Sequence, residues 1–586
     1  MSPLRHLPLA GLFFCLIFPT AFSARADAER VLFETDLPVD QVARLRGLLR
    51  LETEPCEAPR WRLERRLRLV AGELTPGLRA LGYYAARIDA TLDPAEPDEA
   101  SCWQATVRIE AGPRALWREV RVEILGEGAD DAALTALRDR PALVAGQPLL
   151  HADYAGLKSR LLGTALERGY LDAAYTRAQL RVDPEAGAAD ALLTLDTGTR
   201  YRIGAIEIDD GGLSPERVAR MLGLAEGDAY SASAIDASHR RLRDAGYFKQ
   251  VEIVPELASN ASHTVPVRVA LTPFAAKSWR FGAGFDTDTG PRVSAGFAHR
   301  RINEEGHQID LSTRISRDIS EISAEYMIPG EDPLDERWTL QTGWRDETTA
   351  DIRSELLTVG ANYAHTTKYP GIATPLKETI GLAYRQEHSQ VADDDERSTL
   401  LLPSIEWLWS PAMSAGDGLS VRLGVKGAHE SVLSDTSFTQ LSLAANAQKQ
   451  LGDDWTFLTR AEFGLSAIDG FDTLPASQRF FAGGDTSVRG YGFKRLGPHN
   501  GAGQVVGGRH LAVASVELER RVAEDWGVAT FVDAGNAFNS TPELEYGYGL
   551  GARWRSPIGK VKLDLAIPSD TARDDFRLHF SLGASY

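Results

Sequence analysis

The residues most capable of specific chemistry lie in the stretch FFAGGDTSVRGYGFKRLGP, which spans residues 480–498. Val488, Arg489, Gly490 and Tyr491 follow a pair of glycines and a single acid. An arginine guanidinium is a planar fork of donors that matches a carboxylate. Glycine next to it would let the backbone turn tightly or approach a wall. Arg489 could therefore bind an acid on another element, or it could be a solvated side chain at the tip of a loop.

The chain carries no pattern for bond-making chemistry. It has no G-x-S-x-G, H-E-x-x-H or P-loop sequence, and the His429-Glu430 pair lacks a second histidine. No cysteine spacing suits a metal either. We therefore expect a protein that is not an enzyme and that needs no cofactor or metal.

The N-terminus has the pattern of an export signal. Arg5 precedes the apolar run of residues 7–18, and an A-x-A sequence ends at residue 26, so we predict a signal peptide over residues 1–26. Cys56 and Cys102 remain after cleavage. An even pair in an exported protein predicts a disulfide, with two buried thiols as the alternative.

Three similar segments follow the signal. Each has a helix-like pattern that stops at a Gly-Tyr pair and then an alternating, strand-like stretch. The pairs are Gly82-Tyr83, Gly169-Tyr170 and Gly246-Tyr247. The pattern predicts three α+β domains of the order strand, helix, helix, strand, strand. We place them at residues 27–114, 115–200 and 201–275.

Strict alternation of apolar and polar residues replaces the helical spacing after Phe274. In the last segment, residues 576–586, aromatic and aliphatic side chains alternate with arginine, histidine, serine and glycine. Strand after strand with one apolar and one hydrated face is typical of a membrane barrel with a wet lumen. We predict a 16-stranded antiparallel transmembrane β-barrel over residues 276–586. Fourteen or eighteen strands would also fit this length.

These features together resemble the BamA/TamA-type outer-membrane insertase and translocase superfamily. The three repeats are similar to its POTRA (polypeptide-transport-associated) domains, and the barrel is similar to its 16-stranded barrel. The Val-Arg-Gly-Tyr motif matches the family's sixth extracellular loop, which folds into the lumen. A second family motif, F-x-D-x-G, occurs at Phe531, Asp533 and Gly535. The resemblance implies that Arg489 meets Asp533.

The resemblance also implies a function. Three POTRA units on a chain of this length are similar to the TamA-type members, the outer-membrane subunits of the translocation and assembly module. Such a protein would help to insert or secrete β-rich clients such as autotransporters. We expect lateral opening of a seam between the first and last strands, at Gly282, Gly284, Phe580 and Tyr586. The open strand edge would template client strands.

The expected surroundings follow from the same resemblance. The barrel would lie in the lipid bilayer of the bacterial outer membrane, with the POTRA domains in the periplasm. The expected partners are unfolded outer-membrane or autotransporter clients and a TamB-like, inner-membrane-anchored protein that binds the POTRA domains. A net charge of −18 argues against nucleic-acid binding. Open alternatives are a two-partner-secretion-type transporter, a BamA-like general insertase and, from another class, a passive outer-membrane channel.

Overall fold

A computed structural model describes residues 30–93, 103–209, 211–257, 262–349, 351–372, 374–391, 394–557, 559–569 and 576–583. The predicted signal peptide, Cys102 and Tyr586 lie outside these residues. Within them, no helix is long and apolar enough to cross a membrane. The chain divides into two compact units, one ending at Tyr201 and one starting at Arg202.

The first unit holds two domains, each built as strand, helix, helix, strand, strand. In each domain the last strand lies in the centre of a three-stranded sheet, with orders β1-β3-β2 and β4-β6-β5. The first domain consists of β1 Val31–Thr35, α1 Val39–Arg46, α2 Arg60–Ala80, β2 Arg87–Leu92 and β3 Ala105–Glu110. The second consists of β4 Leu116–Leu125, α3 Ala132–Asp139, α4 His151–Glu167, β5 Ala174–Asp183 and β6 Ala188–Asp196.

Each Gly-Tyr pair closely follows the second helix of its domain. In the first two domains the tyrosine ring contacts the arginine that precedes the next domain. In the first domain the Arg114 Nε donates to the carbonyl oxygen of Leu81 at 2.7 Å, and its guanidinium lies 5.7 Å from the Tyr83 ring centre. Arg200 repeats this arrangement with the carbonyl of Arg168 and the ring of Tyr170. The repeated sequence pattern thus corresponds to a repeated hydrogen bond and cation–π contact.

The second unit starts with a third domain of the same order and continues into the barrel. The third domain has the sheet order β7-β9-β8. It consists of β7 Arg202–Ile208, α5 Pro215–Leu222, α6 Ala232–Asp244, β8 Phe248–Pro255 and β9 Thr264–Pro273.

Sixteen antiparallel strands then close into a barrel, with β10 paired to β25. This confirms the predicted fold class, three βααββ domains and a 16-stranded barrel. The strands are β10 Lys277–Asp286, β11 Gly290–His299, β12 Gln308–Ser316, β13 Ile319–Pro329, β14 Glu336–Thr348, β15 Ile352–Thr367, β16 Leu376–Val391, β17 Asp394–Trp409, β18 Gly418–Ala428, β19 Phe438–Leu451, β20 Trp455–Ala467, β21 His510–Arg521, β22 Trp526–Phe538, β23 Glu545–Ser556, β24 Gly559–Pro568 and β25 Arg577–Gly583.

The barrel is apolar outside and polar inside. Leu550 and Leu565 on the outer face are 68% and 45% exposed, whereas Asp564 and Asp533 are buried on the inner face. In a soluble protein the apolar face would point inward, but here it points outward. The aliphatic side chains therefore lie where lipid tails would surround them. The alternation seen in the sequence is therefore the alternation between lipid and lumen.

The two ends of the barrel differ. The third βααββ domain contacts the turn after β11, where the Tyr247 hydroxyl donates to the carbonyl of Gly306 at 2.7 Å and the Arg217 Nη2 donates to Glu305 at 2.8 Å. Arg217 also donates to the carbonyl of Gly330 in the turn after β13. The opposite end carries the short turn 287–289, between β10 and β11, and the long loop between β20 and β21. We call residues 468–509 loop L6.

Candidate functional site: the lumenal anchor of loop L6

Loop L6 turns inward, so that its Val-Arg-Gly-Tyr motif lies inside the barrel. Val488 is fully buried, and Arg489 and Tyr491 are each 5% exposed. The backbone of Gly490 has a φ of 96°, a conformation that glycine adopts far more readily than other residues. A β-carbon at this position would lie 3.1 Å from the backbone nitrogen of Pro568 on β24. The motif therefore passes close to the wall.

Arg489 binds Asp533 on β22 at three points. Its Nε donates to Oδ2 at 2.7 Å and its Nη2 to Oδ1 at 3.0 Å. Its backbone N–H also donates to Oδ2, at 3.0 Å. The Ser515 hydroxyl on β21 donates to Oδ1 at 2.6 Å. The structure thus brings together the two residues that the family resemblance pairs, in a bidentate geometry that favours arginine over lysine.

Two further acids complete the surroundings of Arg489. Its Nη1 donates to Glu517 on β21 at 2.7 Å and to Asp564 on β24 at 3.1 Å. The guanidinium carbon lies 3.4 Å from the ring centre of Phe531, so the first residue of the F-x-D-x-G motif stacks beneath it. Arg553 on β23 joins the same cluster by donating to Glu517 at 2.6 Å.

The cluster places two arginines among three carboxylates inside the wall. Buried charges of this kind are tolerated because each has a partner, and removal of one partner typically costs about 3–5 kcal/mol. The cluster therefore fixes loop L6 against strands β21 to β24.

A glycine in the wall makes room for the loop. Gly547 on β23 pairs with Asp533 across the sheet. A β-carbon at 547 would overlap the carbonyl oxygen of Arg489. The backbone of the motif can therefore lie directly on this strand only because residue 547 has no side chain.

The rest of the motif extends the contact to the last strand. The Tyr491 hydroxyl donates to Glu545 on β23 at 2.7 Å. The Gly490 N–H donates to His579 Nε2 on β25 at 2.9 Å. The Val-Arg-Gly-Tyr motif thus contacts β23 and β25. β25 is one of the two strands that form the seam.

The predicted seam is where β10 meets β25. Gly282 and Gly284 lie on β10 and pair with Ser294 and Arg292 of β11. Phe580 lies on β25, with its ring 5.9 Å from that of Phe285. Among the described residues, β10 pairs with β25 only at Phe285–Leu582 and Asp286–Ser581, whereas it pairs with β11 at ten positions.

Several members of the site were not predicted from the sequence: Asp288, Ser515, Glu517, Arg553, Asp564 and His579. Alternation of apolar and polar residues places Arg553, Asp564 and His579 on the polar faces of β23, β24 and β25, and this is the signal that could have found them. Which lumenal residues meet depends on strand register, and the alternation does not contain that information.

Two other predictions concern residues outside the motif: a disulfide between Cys56 and Cys102, and the absence of a metal. Cys56 is disulfide-bonded, while Cys102, its expected partner, lies outside the described residues. Asp288, Asp485 and His579 lie close enough to share a metal ion. Both ring nitrogens of His579 already have partners, Asp485 and Gly490, so we assign no metal to them.

Comparisons with known proteins agree with this architecture. Residues 303–586 match the family model of the Omp85 superfamily domain. Residues 40–111 match "POTRA domain TamA domain 1", and residues 201–273 match a POTRA model described as "Surface antigen variable number repeat".

Two curated relatives share the name outer membrane protein assembly factor BamA. The relative from Nitratidesulfovibrio vulgaris is 23% identical over 71% of this chain and 55% of its own length. The relative from Neisseria meningitidis serogroup B is also 23% identical, over 71% of this chain and 61% of its own length. The chain thus spans a little over half the length of these relatives.

Solved structures share the fold at low identity. BamA from Haemophilus ducreyi lacking POTRA domains 1–3 superposes with a TM-score of 0.62 at 18% identity, covering 80% of this chain and 100% of that one. CdiB from Escherichia coli gives a TM-score of 0.50 at 16% identity, covering 89% and 97%. The chain therefore combines an Omp85 superfamily domain over residues 303–586 with POTRA domains, the architecture of an outer-membrane β-barrel protein whose POTRA domains lie in the periplasm.

Proposed function

We propose that this protein is a TamA-like assembly factor that helps to insert or secrete β-rich client proteins, such as autotransporters, at the outer membrane. The observation that carries the proposal is the anchoring of loop L6 by Arg489 on Asp533, next to a seam at which the described residues of β10 and β25 pair at two positions. A passive channel would have no need of a loop fixed in this way beside a weak seam. The function needs no bond-making chemistry, and we propose no enzymatic activity.

The proposed mechanism is lateral opening followed by strand templating. β10 is fully paired with β11 on one side, but its pairing with β25 is confined to Phe285 and Asp286 among the described residues. Gly282 and Gly284 weaken the strand further, because glycine contributes no side-chain packing. Once the seam opens, the free N–H and C=O groups of β10 would pair with a client strand by β-augmentation.

The POTRA domains provide the proposed docking sites for partners. Each domain has an edge strand at one side of its sheet. Among the described residues, β2 pairs only with β3, β5 only with β6, and β8 only with β9. Such edges accept an added strand. We propose that a TamB-like, inner-membrane-anchored protein and unfolded clients bind here.

A BamA-like general insertase is the second candidate. The curated relatives, named outer membrane protein assembly factor BamA, favour it. The two candidates differ in client range. A general insertase would accelerate assembly of any outer-membrane barrel, whereas the TamA-like function predicts acceleration confined to autotransporter-type clients.

Reconstitution tests the proposal. The full chain in liposomes should accelerate assembly of an autotransporter barrel, measured by heat-modifiable gel mobility of the client. Arg489→Ala should remove most of the acceleration. Arg521→Ala, which removes an exposed arginine paired with Asp454 in a turn, is the matched control and should retain it. Equal activity of Arg489→Ala and the control would contradict the proposal.

A further inference from the structure

Among the residues that the structure describes, few hydrogen bonds hold the end of the seam that lies on the loop L6 side. Beyond the two paired positions of β10 and β25, the Thr287 N–H donates to the carbonyl of Phe580 at 3.0 Å. The Phe580 N–H donates to the Thr287 hydroxyl at 3.2 Å. Neighbouring β24 and β25 pair at seven positions. Any additional contact across this end of the seam therefore matters to whether it stays closed.

Asp485 of loop L6 supplies such a contact by binding both sides of the seam. Its carboxylate accepts a hydrogen bond from His579 Nδ1 on β25. Its backbone N–H donates to Asp288 Oδ2, at 2.6 Å, in the turn between β10 and β11. His579 Nε2 accepts from Gly490, so Nδ1 is the ring nitrogen that carries the proton. One residue thus connects the first hairpin to the last strand.

The two halves of this connection differ in strength. On the β25 side, loop L6 is also held by the buried cluster around Arg489. On the β10 side, the connection ends on the carboxylate of Asp288. Its other oxygen, Oδ1, is buried without a hydrogen-bond partner among the described residues. Burial, together with the nearby negative charge of Asp485, raises the pKa of Asp288 to about 6. The negative charge of an ionised Asp288 therefore destabilises the closed seam, whereas the hydrogen bond that its Oδ2 accepts from the Asp485 N–H stabilises it.

We propose that Asp288, Asp485 and His579 form a clasp across the seam, and that the contact between Asp288 and Asp485 is its release point. When the seam opens, loop L6 stays on the terminal strands and the first hairpin separates from it. The inference rests on the proposed lateral opening and names the residues that regulate it.

Two substitutions at one position separate the clasp from a merely structural role. Asp288→Ala removes the acceptor for the Asp485 N–H, so the seam should open more often. Asp288→Asn keeps an oxygen acceptor but removes the charge repulsion, so the seam should open less often than in the wild type. Asp395→Ala, at the same end of the barrel on β17, removes an exposed acid paired with His388 and is the control.

Hydrogen–deuterium exchange of β25 amides, in the full chain in nanodiscs without client, measures opening directly. The Phe580 amide should exchange about tenfold faster in Asp288→Ala, the effect of one lost hydrogen bond. Exchange of this amide should be slower in Asp288→Asn and should be unchanged in Asp395→Ala. Faster exchange in both Asp288 variants, or no change in either, would overturn the clasp. The exchange measurement contains no client. Failure of client assembly in the liposome experiment would therefore contradict the proposed function without affecting the test of the clasp.

Discussion

Arg489 and Asp533 are joined by both backbone and side chain: the N–H and the Nε of the arginine donate to one carboxylate oxygen, and Nη2 donates to the other. The side chain fixes the charge, and the backbone bond fixes the path of loop L6. This double attachment explains why the motif lies on the wall rather than in the open lumen.

Arg489→Lys should loosen loop L6 although it keeps the charge. A lysine ammonium cannot bind Asp533 bidentately while also reaching Glu517 and Asp564. Loss of these charged hydrogen bonds should cost about 2 kcal/mol, which corresponds to about 30-fold more frequent release of the loop. Amide exchange of a peptide covering residues 485–491 measures this. Wild-type exchange in the lysine variant would show that the fork geometry is unimportant.

Gly547→Ala should displace the loop without touching its charges. The new β-carbon would overlap the Arg489 carbonyl, and overpacking of this kind typically costs about 1–3 kcal/mol. Gly501→Ala is the matched control, since a β-carbon there meets nothing within 4 Å. Limited proteolysis should cut loop L6 faster in the first variant only. Equal cutting of both variants would argue against close packing of the loop on β23.

Much of this arrangement could be predicted from the sequence. The barrel, the Arg489–Asp533 pair and the remaining lumenal residues differ in how far they could be predicted, each for its own reason. Period-two alternation is a property of single strands, so the barrel and the polar face that carries Asp533 follow from it. The pairing of Arg489 with Asp533 came from family resemblance, because the residues lie on different elements. Glu517, Asp564 and His579 join the site through register and the path of the loop, which no local pattern encodes.

Tyr247→Phe should weaken the contact between the third POTRA domain and the barrel turn. It removes one hydrogen bond, to the Gly306 carbonyl, worth about 0.5–1.5 kcal/mol. Amide exchange across residues 301–307 should rise by about three- to tenfold. Tyr230→Phe, in the same domain, should leave it unchanged. If exchange does not rise in Tyr247→Phe, this hydroxyl does not hold the turn.

Asp131 should make the second POTRA domain sensitive to acid. Burial alone would raise the pKa of this carboxyl, but hydrogen bonds from Arg168 and from the Ala133 and Leu134 N–H groups outweigh it and hold the pKa below its ordinary value. A lowered folded pKa stabilises the domain above about pH 4, where the unfolded chain is also ionised, and this contribution disappears as the pH falls through the folded pKa.

Protection of the α3 amides against hydrogen exchange should therefore fall in the wild type as the pH drops below about 4. Asp131→Asn keeps a helix cap but loses the charged bond to Arg168, so its protection should be lower at neutral pH and nearly independent of pH. Asp131→Ala, which loses both, should cost about 2 kcal/mol. A pH dependence of protection in Asp131→Asn that equals the wild type would assign the acid sensitivity to another group.

The central claim is that Arg489 and Asp533 act as one unit in client assembly, and a double-mutant cycle on the initial rate of assembly in liposomes tests it most directly. Arg489→Ala and Asp533→Ala should each slow assembly of an autotransporter barrel about tenfold or more, with the variant barrel folded by heat-modifiable mobility. The double variant should be no slower than the slower single variant, because the same interaction is already lost. Wild-type rates in the single variants, or effects that multiply in the double variant, would contradict the claim.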